Sequence, residues 1–343
     1  MMSKRKGILN TVFLTAVFVI TLYYIFHGQD MGELLEYIRS ADIRYWVAAV
    51  FCVLFFIASE SVIIFYMMHT IKHKVRLLHC LLYSFIGFFF SCITPSATGG
   101  QPAQIYYMRK DKIPVPVSTL VLMIVTITYK MVLVLIGAVV FIFRPVKIMH
   151  YLQPVLGWCY LGLALNVFCV AFMMLLVFHP TMAKNMLVII IKALSRIHLV
   201  KRQDHYLEKV EHAMQQYQDV AVYFGTHKLV VWNVLVITII QRLVMFYVTY
   251  LTYQSFGLKG TDMVTIVTLQ GMISVAVEML PLPGGMGISE KLFLAMFAPI
   301  CGKLTLPAMV ISRGLSFYTE LIISAIFTIA AHWVIGRERE RKK

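Results

Sequence analysis

Two glycine pairs flanked by proline carry the strongest chemical signal in the sequence. One stands in Pro95-Ser96-Ala97-Thr98-Gly99-Gly100-Gln101-Pro102, the other in Pro281-Leu282-Pro283-Gly284-Gly285-Met286-Gly287. Glycine admits positive φ and close backbone approach, and proline restricts the residue before it. A half-helix that begins after such a turn aims unpaired N–H groups and a positive dipole end at whatever lies ahead, which suits phosphate or carboxylate. Thr98, Gly99, Gly100, Gln101 and Gln104 at the first break are therefore candidate anion contacts, as are Gly284, Gly285, Gly287 and Ser289 at the second. One such turn alone would read as a tight corner between packed helices. Two in matching places read as a binding site.

Charge inside apolar sequence is the next signal. Glu60, Lys130, Arg242, Arg313 and Glu320 fall within apolar runs, and Glu278 and Glu290 flank the second glycine pair. A charge at mid-membrane costs on the order of 3 kcal/mol on insertion scales, so these residues are expected to face a cavity or one another. Glu60 is expected to pair with Arg242 or Lys130, and Arg313 with Glu320 to share a helix face. Together the seven would form a charged pathway or gate, with Gln241 and Gln270 adding uncharged contacts. No nucleophilic triad, Walker loop or HExxH motif is present, so no catalytic residue is assigned. His69 and His73 have a metal-compatible spacing, but Lys72, Lys74 and Arg76 around them mark a solvated face. The six cysteines form no CxxC and read as small apolar residues. Neither metal nor cofactor is expected.

The elements that must position these residues follow from composition. Of 343 residues 60% are hydrophobic and 14% charged, with mean hydropathy +0.79. That is too much apolar surface for a soluble chain of this size. An all-α polytopic membrane protein is the expected class. Six runs are long enough to cross a bilayer, at about 8–26, 45–68, 117–143, 155–178, 229–253 and 306–334. The first follows a basic start without a small-residue cleavage site and reads as a retained helix. Two further runs, 77–108 and 263–299, are broken by proline and glycine. They are expected to be re-entrant hairpins, which survive only where protein or a water-filled cavity covers the open backbone.

Loop charges set the topology. Segments 69–76, 109–116 and 179–228 are basic and belong inside, while 27–44 carries more acid and belongs outside. Both termini are basic and are placed in the cytoplasm. Arg144 and Lys147 run against the rule. The formal charge of +15 is thus assigned to anionic lipid, with no nucleic acid expected. On this count the two hairpins enter from opposite faces. Lys130 and Glu60 keep offsets from Gly99 close to those of Arg313 and Arg242 from Gly284. The chain then reads as one integral membrane domain, 1–343, with repeat units 45–143 and 229–334 in an inverted repeat. A cytoplasmic amphipathic hairpin, 179–228, joins them. Its first helix would carry Met186, Ile190, Leu194 and Ile197 on one face, its second Leu207, Val210, Met214, Tyr217, Ala221 and Phe224.

The stretch Thr94–Gln104 and the later Pro281–Glu290 together resemble the membrane part of the bacterial lysylphosphatidylglycerol synthase/flippase family (multiple peptide resistance factor). The resemblance covers nearly the whole chain. It implies a flippase-like protein in the bacterial inner membrane that moves aminoacylated phosphatidylglycerol between leaflets, linked to resistance against cationic antimicrobial peptides. The chain ends at Lys343, and the synthase domain of the full-length family is expected to be missing. A phosphatidylglycerol lysyltransferase, or the membrane subunit of a lipid-modifying enzyme, is the alternative the family name implies. The expected partners are a phospholipid and the membrane, with room for a separate synthase and for self-association. In the carrier reading the glycine turns hold the headgroup phosphate, Glu60, Glu278, Glu290 and Glu320 meet an amine, and Lys130, Arg242 and Arg313 balance phosphate or close gates.

Overall fold

The computed structural model describes residues 31–179, 181–186, 188–189 and 203–340. The expected first span, 8–26, and most of the expected surface helix after residue 180 lie outside the described residues. What is described is helical, and its one extended contact is a bridge between Pro95 and Pro283. In chain order the helices are α1 (Met31–Ser40), α2 (Ile43–Thr70), α3 (Leu77–Cys92), α4 (Gly100–Lys110), α5 (Val115–Phe143), α6 (Val146–Leu152) and α7 (Leu156–Phe178). Then follow α8 (Gln203–Thr226), α9 (Lys228–Ser255), α10 (Met263–Val277), α11 (Ile288–Cys301), α12 (Thr305–Arg313) and α13 (Thr319–Glu340).

Five helical paths among the described residues are long and apolar enough to span a membrane. Three, α2, α5 and α9, match the expected runs closely. The other two are longer than expected. The path through α6 and α7 covers Val146–Phe178, bending at the 3₁₀ turn Gln153–Val155, where Pro154 withholds an N–H. The path from α11 to α13 covers Ile288–Ala331 and absorbs Pro299, a 3₁₀ turn at Gly302–Leu304 and a π-helical turn at Gly314–Tyr318. Gly302, at φ 55°, ends α11, so only the 3₁₀ turn Gly302–Leu304 separates the second broken run from the last span.

Both expected breaks are present. The first hairpin, α3 and α4, is tied at its base: the Asp111 carboxylate meets the His79 ring at 2.8 Å and accepts from the Tyr83 hydroxyl. Its legs touch through glycine. A Cβ on Gly100 would collide with the Gly87 carbonyl and the Ser91 side chain, and one on Gly87 would strike the Gln104 amide. The second hairpin, α10 and α11, has both legs against α6 at the opposite end of the bundle. There Asp262 caps α10 by accepting from the Thr265 N–H at 2.9 Å, and Lys147 reaches the same carboxylate at 2.5 Å. Farther in, α7 packs on α10 so closely that a Cβ on Gly162 would overlap the backbone of Val275 and Ala276. Asn166 seals that contact, donating to the Gly162 carbonyl at 2.8 Å and the Val275 carbonyl at 3.1 Å.

α8 lies under the bundle against α5, α7 and α9. Met214, Tyr217, Ala221 and Phe224 are buried, as its apolar stripe requires. Side chains of Leu207 and Val210 are outside the described set. The Tyr217 hydroxyl donates to the Leu176 carbonyl at 3.3 Å, which fixes the helix to the end of α7.

Candidate functional site

The tips of the two hairpins meet in the middle of the molecule. Pro95 and Pro283 are antiparallel bridge partners, and the Ser96 hydroxyl donates to the Leu280 carbonyl at 3.0 Å. Beneath this junction is a cavity of about 300 Å³. Its wall takes residues from α2, α3, α4, α5, α9, α10, α11, α12, the π turn and α13. Each broken hairpin thus contributes residues to a chamber whose wall mixes apolar and charged side chains.

Among the described residues, two ionic groupings and two unpaired carboxyls line or back it. Glu278, just past α10, receives both Lys130 of α5, at 3.2 Å, and Arg242 of α9. Arg242 also donates to the Tyr129 hydroxyl, and its guanidinium lies 4.1 Å from the Tyr129 ring centre and 4.8 Å from that of Phe246. It is 3% exposed, and its Nε has no hydrogen-bond partner. The grouping carries one net positive charge facing the cavity. A single cation so enclosed is a fit for one phosphate oxygen.

Arg313 and Glu290 form the second grouping. Arg313 Nε donates to Glu290 at 2.8 Å, and its terminal nitrogen donates to the Gly284 carbonyl at 2.9 Å. The other Glu290 oxygen accepts the Gly287 N–H at 2.6 Å. The pair therefore shapes the second break: one residue holds the loop going in, the other caps the helix coming out. Gly284, Gly285 and Gly287 have φ of 56°, 66° and 85°, the left-handed region where glycine is favoured.

Among the described residues, Glu60 and Glu320 share the cavity wall with the cations but form no ion pair with them. Glu60 accepts from the Gln104 amide at 2.8 Å, and Glu320 accepts from the Cys92 thiol at 3.7 Å. The expected pairing of Glu60 with Arg242 or Lys130 is therefore not formed. Both cations turn to Glu278, whose two oxygens they share. Arg313 likewise turns to Glu290; it and Glu320, with the π turn between them, both line the cavity.

Of the expected anion contacts, Gln101, Gln104, Gly284, Gly285 and Ser289 line the cavity. Thr98, Gly99, Gly100 and Gly287 do not; they build the turns. Thr98 bonds locally to the Pro95 carbonyl, and the Gly99 N–H is taken by the Thr94 hydroxyl at 2.9 Å. With the Gly287 N–H held by Glu290, an N–H at each break is already satisfied from within. The cations are better placed than those N–H groups to meet an anion. Glu60, Lys130, Arg242, Glu278, Arg313 and Glu320 all line the cavity, while Glu290 sits behind Arg313. Tyr129, Thr249 and Cys92 were not indicated by sequence. Thr249 bonds Gln270 at 3.1 Å and Ser312 at 3.0 Å, joining α9 to α10 and α12. Only the position of Tyr129 beside Lys130 in an apolar run would have pointed to it.

An all-α bundle of apolar spans, with two broken hairpins entering from opposite ends and a charged chamber between their tips, is a multi-pass membrane protein. The chain belongs to the lysylphosphatidylglycerol synthase TM-region family, whose model matches residues 10–324. This places it among membrane proteins of the lysylphosphatidylglycerol pathway. A search of curated proteins returns no match.

Proposed function

We propose that this protein carries a phospholipid headgroup between the leaflets of the bacterial inner membrane, with aminoacylated phosphatidylglycerol as the substrate class. The observation that supports this most is the mixed-charge cavity closed by the meeting of two opposed breaks. A headgroup bearing both phosphate and ammonium needs a cation and a carboxylate within one small chamber. Here Lys130 and Arg242 serve the phosphate, and Glu60 and Glu320 serve the ammonium. The acyl chains stay in the bilayer beside the bundle. Repeat units 45–143 and 229–334, joined by the 179–228 hairpin, move against each other in this account, with both termini in the cytoplasm. Moving a cationic lipid outward would reduce attraction of cationic antimicrobial peptides, which ties the activity to peptide resistance.

Lipid identification tests the substrate class. The protein is purified from membranes holding phosphatidylethanolamine, phosphatidylglycerol and lysylphosphatidylglycerol, and the retained lipid is read by mass spectrometry. Enrichment of lysylphosphatidylglycerol over bulk, reduced in Lys130→Met and Glu60→Gln, is expected. Retained lipid of bulk composition would refute the assignment.

A further inference from the structure

Acid and base are unequal around the cavity. Glu60, Glu278, Glu290 and Glu320 stand against Lys130, Arg242 and Arg313, and the pairing leaves two carboxylates over. Glu278 takes two cations and Glu290 takes one. Among the described residues, Glu60 and Glu320 enter no ion pair, though each is 9% exposed and lines the chamber.

Their surroundings are specific. Around Glu60 stand Ser84 of α3, Gln104 of α4, Tyr129 of α5 and Glu320 of α13, and Lys130 of α5 and Arg242 of α9 share the cavity wall with it. Around Glu320 stand Cys92 of α3, Glu60, Arg242 and Glu278, with Arg313 beyond Cys92. Arg242 is the cation common to both sets, and Glu278 and the Tyr129 hydroxyl already hold it. An ionised carboxylate in a membrane interior without a counter-charge is not sustained; the group takes up a proton or a cation. Glu60 and Glu320 are thus each placed to take a proton or a cationic group.

We infer that Glu60 and Glu320 form a proton-exchange site, so that headgroup movement in one direction is coupled to proton movement in the other. The inference rests on the headgroup-carrier reading above. With the cavity empty, each carboxyl holds a proton. When an ammonium group enters, a carboxylic acid and an ammonium become a carboxylate–ammonium pair plus one proton, released to the open side. The only bond broken is O–H. On the other face the exchange reverses, and a proton gradient drives the lipid.

Proteoliposomes carrying acyl-labelled lysylphosphatidylglycerol, with membrane potential clamped and the lumen one pH unit acidic, test this. The labelled lipid should accumulate in the lumenal leaflet toward a limit of about tenfold, because one proton is exchanged per lipid and each pH unit is a tenfold proton ratio. A protonophore should abolish the accumulation, and labelled phosphatidylglycerol should not respond. Glu60→Gln and Glu320→Gln should lose the response, and Glu60→Asp and Glu320→Asp should restore it in part. A second readout needs no transport: the infrared band of protonated carboxyls in the purified protein should fall on adding lysylphosphatidylglycerol, and not in the double Gln variant. Lysylphosphatidylglycerol movement that ignores the pH gradient overturns the exchange and leaves the carrier reading standing. Absence of movement for both lipids overturns the carrier reading, and an infrared band unchanged by lysylphosphatidylglycerol overturns the exchange by itself.

Discussion

Pro95 and Pro283 face each other as antiparallel partners where the two broken hairpins meet. Neither has an N–H, so this is a contact without a ladder hydrogen bond across the pair. The nearby Ser96–Leu280 bond is one polar tie across the junction, and a single neutral bond contributes about 1 kcal/mol net. A contact this light can open and reform. In the headgroup-carrier account proposed above, this junction serves as the gate above the charged chamber.

Antiparallel residues opposite each other without a hydrogen bond sit about 4.5 Å apart at Cα, within the range a disulfide spans. Pro95→Cys with Pro283→Cys, on a background lacking the six native cysteines, should therefore crosslink on oxidation. Lipid translocation should stop in the oxidised protein and return after reduction. Undiminished translocation in fully crosslinked protein would show that the tips need not part.

Arg313 and Glu290 hold the second break together, and both are largely buried. Removing one member of a buried pair leaves an uncompensated charge, which costs about 3–5 kcal/mol. Glu290→Gln and Arg313→Leu should each lower the unfolding midpoint in detergent strongly. The double variant should cost less than the two losses added, since it strands no charge. Strict additivity would mean the two residues act separately.

Glycine at the α7–α10 contact is a packing requirement. Gly162→Ala forces a methyl onto the backbone of α10 and should destabilise by about 1–3 kcal/mol. Gly157→Ala, five residues earlier on the same helix, meets nothing within 4 Å and should be neutral or slightly stabilising. Denaturant titration of both variants checks the contrast. Equal costs would refute the close helix approach.

Acid should act on the end of the bundle where Lys147 meets Asp262. The Lys147 hydrogen bond, aided by the Thr265 N–H, holds the Asp262 carboxyl well below the usual carboxylate range. A depressed folded-state value means the contribution is present above the unfolded value, near 4, and is lost as pH falls through the folded one. The pair is half exposed, so the effect at neutral pH is small. Melting of wild type and Lys147→Ala from pH 7 to pH 3 should show a gap that narrows below about pH 4. A gap that widens on acidification would contradict the assignment.

Sequence carried the spans and the breaks further than it carried the pairings. Pro95, Gly99, Pro283 and Gly284 interrupt apolar runs at matching places, so both breaks were legible. Charges within the apolar runs were legible as cavity residues for the same reason: lipid excludes them. Which carboxylate meets which cation was not. Glu278 draws in Lys130 and Arg242 from distant sequence positions, and that choice depends on how α5, α9 and α10 cross. Helical spacing put Arg313 and Glu320 on one face, and both line the cavity, but spacing showed neither the π turn at Gly314–Tyr318 nor the pairing of Arg313 with Glu290. The N–H groups at the breaks looked open to an anion because their caps, Thr94 and Glu290, act through local geometry that spacing alone does not specify.

The central claim is that the chamber between the two breaks passes a lipid headgroup across the membrane. The most direct measurement is the rate at which acyl-labelled lysylphosphatidylglycerol changes leaflets in proteoliposomes of the purified protein. The account predicts exchange well above that of protein-free vesicles, falling toward that background in Lys130→Met with Arg242→Met. Exchange at the protein-free rate for lysylphosphatidylglycerol and phosphatidylglycerol alike, with folded wild-type protein in the bilayer, would contradict it.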